Sequence, residues 1–76
     1  MAKTFSGKRV VAILSRSFGF SFVSQKGSHV KLSRKEGKRT ITTIIPMHRE
    51  LARGTLRGAL ELAEVREDEF MEAAKK

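Results

Sequence analysis

Residues 20–45 constrain this chain more than any other stretch. They hold three segments rich in β-branched and aromatic residues, joined by connections too short for a crossover. Residues 20–25 read as a strand and residues 28–33 as its hairpin partner. Lys26-Gly27 is the turn between them, because glycine reaches the positive φ of tight turns at no steric cost. Residues 34–39 make a charged turn around Gly37. Residues 40–45, dense in Ile and Thr, form a third strand that Pro46 ends by removing a backbone donor. Strands joined this tightly pair as an antiparallel meander.

A turn at Lys26-Gly27 also sets a register. Gln25 then faces Ser28, Ser24 faces His29, Val23 faces Val30 and Phe22 faces Lys31. His29 and Lys31 share one face of the sheet with Phe20 and Phe22, and Val23, Val30 and Leu32 share the other.

The flanks read as helices. Ser6 caps a helix running to about Phe18, with Val10, Ile13, Leu14 and Ser17 or Phe18 on one stripe and Lys8, Arg9 and Arg16 off it. Gly19 suits the left-handed position beyond its end. After a loop carrying His48, a second helix begins between Ala52 and Thr55, with Leu56, Ala59, Leu60 and Ala63 at helical spacing. A last helix places Glu67, Asp68 and Glu69 in its first turn, where the dipole favours negative charge, and buries Phe70 with Ala73 or Ala74. The order α-β-β-β-α-α predicts an α+β domain over residues 1–76. Its helices cover one face of a three-stranded antiparallel sheet, as in double-stranded-RNA-binding domains.

Charge separates the two halves. Residues 1–39 hold ten of the sixteen Lys and Arg and a single acid, Glu36, whereas residues 40–76 hold six basic and seven acidic residues. A basic surface of this kind attracts polyanions, nucleic acid above all. Membrane is disfavoured as the polyanion, since no basic amphipathic helix carries bulky aromatic anchors. No apolar run reaches the ~20 residues of a membrane helix, and no signal peptide is expected. The absence of cysteine removes disulfides, thiolate nucleophiles and cysteine-based zinc sites, and suits a reducing cytoplasm.

His29 and Lys31 are the pair with chemical potential. RNA carries its own nucleophile, the 2′-hydroxyl. A ribonuclease needs only a group that titrates near neutral pH and a cation for the charge developing at phosphorus. DNA cleavage would normally need a metal, and the acids here form no His/Asp/Glu cluster at ligand spacing, so no metal or cofactor is expected. His48 is either a second proton-transfer group, a substrate contact or a loop-fixing partner. Ser28 has no oriented third member for a nucleophile triad. Lys8, Arg9, Lys26, Lys31, Arg34, Lys35, Lys38 and Arg39 are the candidate RNA contacts.

The residues in order resemble the HicA-type messenger-RNA interferases, the toxin half of HicA–HicB toxin–antitoxin pairs. The resemblance rests on Phe18-Gly19-Phe20, Gln25-Lys26-Gly27-Ser28-His29, Pro46-Met47-His48, Glu50-Leu51, Gly54-Thr55-Leu56-Arg57 and Arg66-Glu67-Asp68-Glu69-Phe70. It implies a fold similar to double-stranded-RNA-binding domains and metal-independent cleavage of messenger RNA. The catalytic histidine of the Gly-Ser-His motif would be His29. The resemblance also implies a HicB-type antitoxin that occludes the site, commonly in a hetero-oligomer. Arg53-Gly54-Thr55 stands where the family often has Pro-Gly-Thr. The alternatives are a non-catalytic RNA-binding module of the same fold and a domain whose basic face meets an acidic protein. His29→Ala separates the first of these from an enzyme.

Overall fold

The structure is a computed structural model that describes residues 4–76. Its elements are α1 (Gly7–Phe18), β1 (Ser21–Lys26), β2 (His29–Glu36), β3 (Arg39–Pro46), α2 (Arg53–Ala63) and α3 (Glu67–Ala74). The three strands form one antiparallel sheet in chain order, with the helices on one of its faces. This is the α+β architecture expected from the sequence, similar to a double-stranded-RNA-binding domain.

α1 begins where Ser6 accepts a hydrogen bond from the Arg9 N–H, 3.0 Å away. It ends at Gly19, whose φ of 75° closes the helix on the Leu14 carbonyl. Val10, Ile13 and Leu14 form its buried stripe. Leu56, Ala59, Leu60 and Ala63 do the same for α2, and Phe70 and Ala74 for α3. From the sheet come Val30 and Leu32 of β2 and Ile41 and Ile45 of β3. The Phe5 ring meets Phe70 edge to face at 5.3 Å, a pairing that adds about 1 kcal/mol to their burial. Between Ile41 and Ile45 stands a buried threonine. Thr43 donates its hydroxyl to the Ala59 carbonyl of α2 at 2.7 Å, so the polar group within the core is satisfied.

The first hairpin turns one residue later than the sequence suggested, and the second is tighter. The first turn is Gly27-Ser28, not Lys26-Gly27, and Lys26 pairs with His29. The second is Gly37-Lys38 alone, with Arg34, Lys35 and Glu36 in β2 and Arg39 in β3. In each, glycine takes the first turn position at a φ near 60° and the following residue does not, the pattern of a type II′ turn. A two-residue loop starting with glycine matches the twist of the flanking strands, which is why it prevails.

The β1 register is corrected as well. Gln25 pairs with Val30, Ser24 with Lys31 and Phe22 with Leu32, and Val23 is bulged out between the last two. Phe22 therefore lies on the helix side of the sheet, not beside His29. No helix extends over it, and it stays 61% exposed, as does Val23 at 48%. Phe20 also leaves the expected face and is buried in the core.

The loop after β3 is tied down at both ends. Met47 N–H donates to the Ser28 carbonyl at 2.6 Å, Gly7 N–H to the His48 carbonyl at 2.9 Å and Leu51 N–H to the Phe5 carbonyl at 2.8 Å. A Cβ at Gly7 would overlap the Pro46 carbonyl oxygen and stand 2.8 Å from the Met47 Cα. Glycine is what lets the first turn of α1 rest against this loop.

Candidate nucleic-acid interface

The strand period of two decides which residues reach solvent. Val30 and Leu32 of β2 point to the helices, so His29, Lys31, Ser33 and Lys35 lie on the opposite, uncovered face. Ladder pairing carries that face across the sheet. Lys26 and Pro46 flank His29, Ser24 and Ile44 flank Lys31, Ser21 and Thr42 flank Ser33, and Thr40 lies beside Lys35. His29 and Lys31 thus share a face, as expected.

Lys26 is the neighbour that the sequence concealed. The Gly27-Ser28 turn puts it there, since the residues on either side of a two-residue turn pair; the bulge at Val23 lies further along, where it sets Phe22 opposite Leu32 and not Ser33. A bulge re-aims the residues beyond it, and here it turns Phe22 from the open face to the helix side. Gly27 marks a turn but not its position, which falls one residue later than expected; the bulge has no sequence signal in this chain.

The open face has a single electrostatic sign. Glu36 is the one acid within the three strands, and it belongs to the helix side, 3.7 Å from Arg34 and 3.8 Å from Arg39. Arg39 also reaches Glu64 beyond α2. Arg34 is only 22% exposed; its guanidinium stacks over the Phe20 ring at 5.4 Å, and its Nε is buried without a hydrogen-bond partner. Of residues 34–39, Arg34 and Arg39 are therefore engaged in holding the fold. Lys35 on the open face and Lys38 at the turn make no ion pair among the described residues.

Arg9 is similarly occupied. Its guanidinium donates to the Ala74 carbonyl at 2.8 Å, at the end of α3 where a helix carries partial negative charge, and stands 5.5 Å over Phe5. Lys8 beside it is exposed and unpaired among the described residues. The sequence-predicted cations do not converge on one spot. Lys26, Lys31 and Lys35 share the face of His29, Lys38 lies at the far turn, Lys8 lies on α1, and three arginines serve the packing.

Ser28 is the second turn residue, and its carbonyl receives Met47 N–H. His48 is exposed, two residues beyond Pro46, the ladder partner of His29. Its backbone is fixed by Gly7, so the loop runs along the turn that carries His29. Among the described residues no three His, Cys, Asp or Glu side chains gather as metal ligands. No described helix is long and apolar enough to cross a membrane. Two surface grooves lie along α2 and α3, one lined by Arg57, Leu60 and Glu67, the other by Phe5, Leu56 and Met71; neither includes His29. The imidazole stands on an open, cationic sheet. Such a surface can hold a phosphate and move a proton.

A comparison with known families gives a match over residues 7–65, to a model described as the HicA toxin of bacterial toxin–antitoxin systems. The matched span contains α1, the whole sheet, the His48 loop and α2. No curated protein and no solved structure matches.

Proposed function

The chain belongs to the HicA toxin family of bacterial toxin–antitoxin systems, and on that premise we propose that it is a metal-independent endoribonuclease that cleaves messenger RNA at His29. The observation that carries this reading is the placement of His29 on the acid-free face of the sheet, with Lys26 across the ladder and Lys31 two residues along. A phosphodiester drawn to this face meets an imidazole and two fixed amines together.

The reaction needs two proton transfers. A base takes the proton of the 2′-hydroxyl, whose oxygen attacks the adjacent phosphorus. The bond from phosphorus to the 5′-oxygen breaks, and that oxygen takes up a proton. The products are a 2′,3′-cyclic phosphate and a free 5′-hydroxyl. His29 performs one transfer and Lys26 and Lys31 offset the charge that grows on the phosphoryl oxygens. His48, held in the neighbouring loop, or water performs the other. Ser28 serves through its backbone, as the acceptor that binds the loop to the turn. A HicB-type antitoxin is the expected partner, and covering the face of His29 is how it would silence the toxin.

The test is incubation of labelled RNA with the purified chain and with its His29→Ala variant, chelator present. Cleavage by the first alone, leaving cyclic-phosphate ends, is the expected result. Products with 5′-phosphate ends would refute the mechanism. Intact RNA that is retarded equally by both proteins would make the chain a binding module.

A further inference from the structure

The open face has a direction as well as a charge. Side chains two residues apart on a strand are separated by about 6.7 Å, close to the spacing of consecutive phosphates along an extended nucleic-acid strand. On β2 this places Lys31 one step from His29 and Lys35 three steps away, with Lys38 at the turn beyond. In the other direction β2 ends at once and Gly27-Ser28 offers no cation, which leaves Arg49, exposed in the loop beyond Pro46, as the cation at that end. Lys26 stands abreast of His29, not further along.

We propose that RNA lies on this chain as a single extended strand along β2, gripped chiefly on the Lys31–Lys35 side of the bond that is cut. The proposal rests on His29 being the cleavage centre and specifies the form of RNA that this centre takes. Charge complementarity selects the occupant, since the face bears Lys26, Lys31 and Lys35 and no carboxylate. Chemistry selects the single strand. Attack by the 2′-oxygen needs that oxygen, the phosphorus and the departing 5′-oxygen in line, and an A-form duplex holds the 2′-oxygen off that line. A single strand rotates into it freely.

The same face fixes how the strand is recognised. It carries no aromatic ring for bases to stack on, because Phe20 is buried and Phe22 lies on the helix side. Ile44, 38% exposed beside Lys31, and Pro46 beside His29 are its apolar contacts. Phosphate contacts dominate, so sequence preference is weak and salt dependence strong.

Binding is measured with the full-length His29→Ala chain and a labelled RNA of about twelve nucleotides, as a single strand and as a blunt duplex, across a salt series. The single strand binds more tightly. The slope of log affinity against log salt flattens by about 0.7 for each of Lys31→Ala and Lys35→Ala, and is unchanged by Lys75→Ala just beyond α3. A duplex that binds as tightly, or a slope indifferent to both β2 lysines, overturns the proposal. A second arm uses the active chain with RNAs shortened from either end toward one cut site. Trimming within three phosphates of the cut raises KM several-fold more on one side than on the other; equal effects on both sides overturn the one-sided grip. A chain that binds as described but does not cleave would sink the nuclease reading, and the salt slopes would still decide how RNA lies.

Discussion

The two faces of the sheet obey different rules although the same residues build both. On the helix side volume fixes five alternate residues: Val30, Leu32, Ile41, Thr43 and Ile45 are enclosed beneath the helices. Even charge is spent there on packing, with Arg34 over Phe20 and Arg39 paired to Glu36 and Glu64. One residue along, on the open side, Lys31, Lys35 and His29 are exposed and covered by no helix. Stability resides on one face and the proposed recognition on the other, and an alternation of single residues keeps them apart.

That separation can be broken by substitution. Leu32→Ala should have the largest effect, a loss of about 3–4 kcal/mol from a fully enclosed side chain, read as a fall in the denaturation midpoint. Gly7→Ala should follow at about 2–3 kcal/mol, because the new methyl displaces the Pro46–His48 backbone. It should also reduce cleavage more than its stability loss explains, since that loop holds the Ser28 carbonyl. Thr43→Val keeps the shape but removes the hydrogen bond to Ala59, and should cost about 1 kcal/mol. Lys31→Ala or Lys35→Ala should change stability by less than about 0.5 kcal/mol while weakening RNA binding. A large stability loss from either lysine would show that the open face is not independent of the core.

Most of the helix-side architecture was legible, because burial imposes periodicity. The stripes of Val10, Ile13 and Leu14 and of Leu56, Ala59, Leu60 and Ala63 follow from spacing, and the ends of α1 from Ser6 and Gly19. The placement of β1 was not legible. All six of its residues are exposed, so no burial pattern disciplines its register, and the bulge at Val23 moves Phe22 to the opposite face. His29 and Lys31 survived the error because both lie on β2, where the period of two holds whatever β1 does. Lys26 required the turn at Gly27-Ser28, one residue later than expected. The occupation of Arg9, Arg34 and Arg39 by structural partners also escaped the sequence, since a charge count does not say which charges are already answered.

The contact between Gly7 and the His48 loop has a bearing on time. The hairpins close between near neighbours in the chain, whereas Gly7 meets His48 and Phe5 meets Leu51 across more than half of its length. Contacts between distant residues form late, after local ones have reduced the loop that must be closed. During synthesis the turn bearing His29 therefore emerges well before the segment that braces it, and the supported site is complete only when residues 47–51 have cleared the ribosome. A chain arrested before that point has its histidine but not its brace.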